Sequence, residues 1–172
     1  PDAKTHKVTS GIMGDIIQTK ANKAQLTVNV CAHAGIERIE IRNASKIVKT
    51  LRTFEESELG NRIRVLWKGA EYRGRGRNTN WSGHAQFDGT IISKFKTINQ
   101  WNPDQLFEQR GSDTVIWKAV TTGNFMGFDA WLSTNSGFLT VNTNHGEIKL
   151  NLEQVSLQDN KLELGGLNRV IT

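Results

Sequence analysis

The feature that most constrains this chain is a period of two. Apolar and polar residues alternate in short runs along most of its length, as they do in a strand with one buried face, where successive side chains point to opposite sides of the sheet. Leu26, Val28 and Val30 alternate with Thr27, Asn29 and Cys31. Ile39 and Ile41 alternate with Arg38, Glu40 and Arg42; turn residues follow from Asn43 to Lys46, and Ile47 to Phe54 reads as the returning arm of a hairpin. The pattern recurs at Ile63, Val65 and Trp67, at Val115, Trp117 and Ala119, from Phe138 to Thr143, from Ile148 to Leu152, and at Leu162 and Leu164. Loops rich in Gly, Asn, Ser and Asp separate these runs, among them Arg73 to Gly83 and Thr121 to Gly127. No amphipathic stretch of helical period exceeds about ten residues, and the best helical candidates are single turns at Phe54 to Leu59 and Pro103 to Gln109. Strands recurring every 8–15 residues or so predict an all-β fold, a β-sandwich or jelly roll of antiparallel sheets.

A chain of 172 residues suits one domain over its whole length, and the 88–100 region is the candidate seam between two halves. The first residue is Pro1, and Leu162 to Thr172 still reads as strand without a terminal cap, so the expectation is a piece of a longer polypeptide. No apolar core of a signal peptide follows Pro1 to Lys7, and no apolar run approaches the ~20 residues of a membrane span. Cys31 is the single cysteine, which excludes an internal disulfide and leaves the compartment open.

Charge is unevenly placed. Arg62, Arg64, Lys68, Arg73, Arg75 and Arg77 face only Glu71 between positions 62 and 77, and this segment carries the whole net charge of +5. A broadly basic surface would suggest nucleic acid; one local cluster needs a local explanation.

Catalytic signatures are absent. The histidines are His6, His33, His84 and His145, with no His-x-His, His-Glu-x-x-His or Cys-x-x-Cys. Cys31 and His33 share one face of a strand at this spacing, two possible ligands without a third. No Gly-x-Ser-x-Gly elbow occurs, and Glu55 and Glu56 sit in a solvated helix-start context. The expectation is a non-enzyme with no cofactor and no metal.

The most function-like feature is Arg73-Gly-Arg-Gly-Arg77, with Trp81 and His84 close behind. Glycines at 74 and 76 permit tight turning, and arginine forks suit phosphate or carboxylate. One reading is an anion-recognition loop of Arg73, Arg75, Arg77, Trp81 and His84, with Trp81 free to stack on a nucleobase. The plainer reading pairs the arginines with carboxylates of this chain or of a neighbouring domain. Five tryptophans raise a third possibility, carbohydrate binding: Trp67 and Trp117 fall in the apolar register of strands, whereas Trp81 and Trp101 lie in loop-like sequence.

Several segments occur in an order that resembles one family. They are Gly11-Ile-Met-Gly-Asp15, Ile36 to Arg42, Arg64-Val-Leu-Trp67, Gly69 to Arg77, Trp81-Ser-Gly83, Gly127 to Leu132 and Gly165-Gly-Leu167. The pattern is similar to the C-terminal region of bacterial DUF3604-like proteins, which carry an upstream domain similar to PHP-type metal-dependent phosphoesterases. The resemblance implies a non-catalytic accessory β domain of a metal-dependent hydrolase, whose partner is the upstream domain of the same polypeptide. None of that family's metal ligands matches a residue here. The alternative is an independent binding module for carbohydrate or for an anionic ligand, nucleic acid or phosphate. Carboxylates beside the arginines favour the structural reading, a convergent unpaired face favours an anion, and an exposed row of tryptophans favours sugar.

Overall fold

A computed structural model describes residues 20–23 and 25–172. The element order is β1 (Arg38–Asn43), β2 (Lys46–Arg52), β3 (Arg62–Ala70), β4 (Thr79–Asp88), β5 (Ile92–Ile98), β6 (Phe107–Arg110), β7 (Thr114–Thr121), β8 (Phe125–Leu132), β9 (Phe138–Thr143), β10 (Gly146–Asn151), β11 (Leu162–Glu163) and β12 (Leu167–Ile171). Helical structure among the described residues is confined to 3-10 turns at Glu56–Leu59 and Leu152–Gln154. Two five-stranded antiparallel sheets, ordered β10-β9-β4-β7-β6 and β11-β12-β3-β8-β5, pack as a sandwich, and β1-β2 forms a separate hairpin. The all-β sandwich is therefore the fold that the alternation predicts.

The core lies between the two sheets. Ile63, Val65 and Trp67 of β3 and Met126, Phe128 and Ala130 of β8 face Trp81, Ala85 and Phe87 of β4 and Val115, Trp117 and Ala119 of β7. At its centre the indoles of Trp67 and Trp117 stack with centroids 4.5 Å apart and planes 9° from parallel. Phe107 and Phe128 tilt against Trp67 at 5.6 and 6.5 Å. Gly83 makes room for this stack: a Cβ there would fall 2.4 Å from the Asn142 carbonyl oxygen and 2.8 Å from Cζ2 of Trp117. Nε1 of Trp67 and of Trp117 are both buried without a hydrogen-bond partner among the described residues. Each such orphan donor costs about 1–3 kcal/mol, which ring stacking and burial of the large indoles offset.

Two expectations on Leu26 to His33 and one on Pro103 to Gln109 need correction. Leu26, Val28 and Val30 keep the strand pattern but form no strand, and their exposures of 67, 44 and 48% show why: no neighbouring strand or core face receives them. Cys31 and His33 consequently do not share a strand face. The helical turn expected from Pro103 to Gln109 is a turn leading into edge strand β6, where Phe107 is drawn into the core against Trp67. The 88–100 region carries β5, which pairs along β8 and contributes Phe95 to the aromatic cluster.

Candidate functional site

The basic run splits into two groups with opposite fates. Arg62 and Arg64 lie on the outward register of β3, directly across from β8, where Asp129 is only 4% exposed. Arg62 Nη2 donates to Asp129 Oδ2 at 2.6 Å, while Arg64 donates through Nε at 2.8 Å and Nη2 at 3.2 Å. Arg64 Nη1 also donates to Glu37 at 2.6 Å, which ties the segment ahead of the hairpin to the sandwich. The Arg62 guanidinium and the Lys94 ammonium cover Trp131 from 5.3 and 4.6 Å, a cation–π arrangement. Burial pushes the Asp129 carboxyl up, but hydrogen bonds from Arg64 and Arg62, with their charges, outweigh it and hold the group below the usual carboxylate range. The first two arginines of the basic run are thus a neutralised structural brace.

The rest of the run has no such partner among the described residues. Arg73, Arg75 and Arg77 are exposed in the segment between β3 and β4 and make no ion pair or hydrogen bond with any described residue. That segment turns through Gly74 and Gly76 at φ 109° and 73°, left-handed conformations that side-chain-bearing residues adopt only with strain. Its arginines therefore splay without a regular strand to order them. Arg73 and Arg77 enter an open cleft of 610 Å³ together with Lys68 from the outward register of β3, Tyr72, the β7–β8 turn at Thr122 and Gly123, and the Lys161 to Val170 stretch. Five cations line it, Lys68, Arg73, Arg77, Lys161 and Arg169, against one carboxylate, Glu163.

The cations differ in what they can offer. Arg169 is committed: it donates to Glu71 at 2.8 Å, to His145 Nδ1 at 3.3 Å, to the Leu164 carbonyl at 3.1 Å and to the Gly165 carbonyl at 3.4 Å. His145 Nε2 sits 2.8 Å from the Asn80 carbonyl, and the tautomer that donates to that carbonyl is the one whose Nδ1 accepts from Arg169. Lys161 has a loose pair with Asp159 at 3.5 Å. Lys68, Arg73 and Arg77 have no acidic partner among the described residues. Arg169 anchors the cleft wall, and these three supply the open charge.

Of the five residues that the sequence singles out, the structure brings only Arg73 and Arg77 into the cleft. Arg75 shares their loop but does not line it. Trp81 is a correction: it lies in β4, 1% exposed, with Nε1 donating to Thr121 Oγ1 at 2.8 Å, and Thr121 in turn donates to the Gly69 carbonyl at 2.7 Å. This buried relay fixes β4 and β7 to Gly69 of β3, where the pairing with β12 shifts register and which lines the cleft; the ring is not available to a ligand. His84 is exposed on the outward register of β4, opposite Ile116 and Asn142, away from the cleft lining. Sequence reasoning missed Tyr72, Lys161, Arg169 and the supporting His145. Tyr72 stood in plain view beside Arg73, but Lys161 and Arg169 reach the cleft only because β12 pairs with β3.

Among the described residues no group of three or more His, Cys, Asp or Glu converges as metal ligands would, and no helix among them is long and apolar enough to cross a membrane. His6 and the Gly11 to Asp15 motif lie outside the described residues. Compared with protein-family models, curated proteins and solved structures, the chain matches none.

Proposed function

We propose that this chain is a non-catalytic β-sandwich module whose basic cleft holds an anionic group. The observation that carries this reading is the contrast within one basic run: Arg62 and Arg64 are neutralised by Asp129, whereas Lys68, Arg73 and Arg77 gather at one cleft without an ion pair to any described carboxylate, Glu163 being the single acidic residue of its lining. Like charges gathered in such excess over their counter-charge repel one another and add little to folding, so their gain lies in an external anion. The glycines of the loop keep it conformable enough to close around such a group.

The test is the combined variant Arg73→Ala/Arg75→Ala/Arg77→Ala, with inorganic polyphosphate as probe. The expected outcome is a binding loss of tenfold or more, with a melting temperature within ~2 °C of wild type because exposed, unpaired side chains contribute little. A large fall in melting temperature, or unchanged polyphosphate binding, would sink the reading.

A second reading makes the chain the accessory β domain of a metal-dependent hydrolase, as the DUF3604-like resemblance implies, with the upstream domain as its partner. It is favoured by the hairpin, where Ile47, Val48 and Leu51 of β2 are 44, 63 and 38% exposed. A two-stranded hairpin is marginal in isolation and gains from packing against another surface. Deleting this domain from the parent should then change the rate or substrate range of metal-dependent phosphoester cleavage, while the domain alone stays inert. Carbohydrate binding has less support. Trp67, Trp81 and Trp117 are buried and Trp131 lies under two cations, which leaves Trp101, 69% exposed, as the lone open indole.

A further inference from the structure

Tyr72 is the side chain in the cleft that an anion alone does not explain. It is 51% exposed, adjoins Arg73 in the chain, and lines the same space as Arg73, Arg77 and Lys68. Its position is supported: the phenol oxygen lies 3.3 Å from where a Cβ on Gly76 would stand, so the bare glycine lets the tyrosine lie against the loop. The ring is half exposed in a cleft lined by cations, and no described ring or cation stacks on it. A ligand with a planar face would cover it.

The geometry points to single-stranded nucleic acid as the ligand of this cleft, with a base stacked on Tyr72 and neighbouring phosphates held by Lys68, Arg73 and Arg77. This rests on the anion-binding reading above and adds the class of anion. Basic grooves that carry an exposed aromatic ring bind single strands because every base has a stacking face, whatever its sequence. Duplex is disfavoured by the same logic, since its bases are already stacked and its edges, not faces, reach the grooves. An acidic peptide would use the cations and leave the ring idle.

The experiment is fluorescence anisotropy with a labelled twelve-nucleotide oligothymidylate, run beside the matching duplex and beside inorganic polyphosphate as competitor. With three phosphates neutralised, affinity for the single strand should fall roughly 20-fold between 50 and 200 mM salt, and the salt slope should drop by about 1.4 in Arg73→Ala/Arg77→Ala. Tyr72→Ala should weaken the oligonucleotide about tenfold and Tyr72→Phe hardly at all, while neither changes polyphosphate affinity. If polyphosphate binds and Tyr72→Ala leaves the oligonucleotide unchanged, or if duplex binds as tightly as single strand, the nucleic-acid inference fails and the anion cleft stands. If neither probe binds to the wild-type protein, both fail. Melting curves of each variant separate loss of binding from loss of fold.

Discussion

Replacing Asp129 by Asn keeps the shape of the side chain and removes its charge. The carboxylate accepts three hydrogen bonds from Arg62 and Arg64. An amide accepts at one oxygen only and turns N–H groups toward the second guanidinium, so at least one bond is lost and both cations lose their counter-charge. Breaking a buried pair in this way costs about 3–5 kcal/mol. The arginine side chains retain 27 and 32% exposure, so water takes up part of the loss and about 2–3 kcal/mol remains. For a domain of this size that is a fall in melting temperature of roughly 5–10 °C. Acidity gives a second handle. Because the folded pKa of Asp129 is depressed, its contribution is present above the unfolded value of about 3.9 and is lost as pH falls through the folded value. Wild type and Asp129→Asn should therefore differ most at pH 7 and converge toward pH 2, in thermal melts followed by circular dichroism. A gap that is below about 1 kcal/mol at neutral pH, or that persists undiminished in acid, would refute the brace.

Trp67→Ala should cost about 3–5 kcal/mol in urea unfolding, since it removes a fully buried ring from the aromatic stack. Trp67→Phe should cost distinctly less, because it also removes an unpaired buried donor. Trp81→Phe should lose about 1–2 kcal/mol by deleting the donor to Thr121; a neutral result would show that the relay to Gly69 is incidental. Gly83→Ala should destabilise by about 2 kcal/mol or more on the same assay, because the added methyl meets both a backbone carbonyl and the Trp117 ring.

The alternation was legible wherever inward positions are large and outward ones charged, as in β3 with Ile63, Val65 and Trp67 set against Arg62, Arg64 and Lys68. It was muted in β4, whose inward Thr79, Gly83 and Ala85 are small and whose outward Asn80, Ser82 and Asp88 are turn-forming residues. It failed in β8 for the opposite reason: flanked by β3 and β5 and covered by the arginine brace, this strand buries Gly127 and Asp129 as well as its core-facing residues. Leu26, Val28 and Val30 show the converse limit, since a strand pattern yields a strand only when an edge is there to receive it. The cleft was legible in part. Its loop announces itself through Arg73 to Arg77, but the choice of Tyr72 over Trp81 depends on where β4 begins, and Lys161 and Arg169 depend on a pairing between distant segments.

That distant pairing also governs the order of events during synthesis. Strand β3 emerges from the ribosome before both of its neighbours, since it is closed on one side by β8 and on the other by β12, where Leu66 and Thr172 exchange two backbone hydrogen bonds of 2.8 Å. At about 5–20 residues per second the nascent chain carries an unpaired β3 edge, with Trp67 beside it, for several seconds. An open edge of this kind recruits whatever strand comes near. A ribosome paused ahead of Leu167 would hold the chain in its most adhesive form, so the speed of translation through the codons between β8 and β12 bears on how much of this domain reaches the native state.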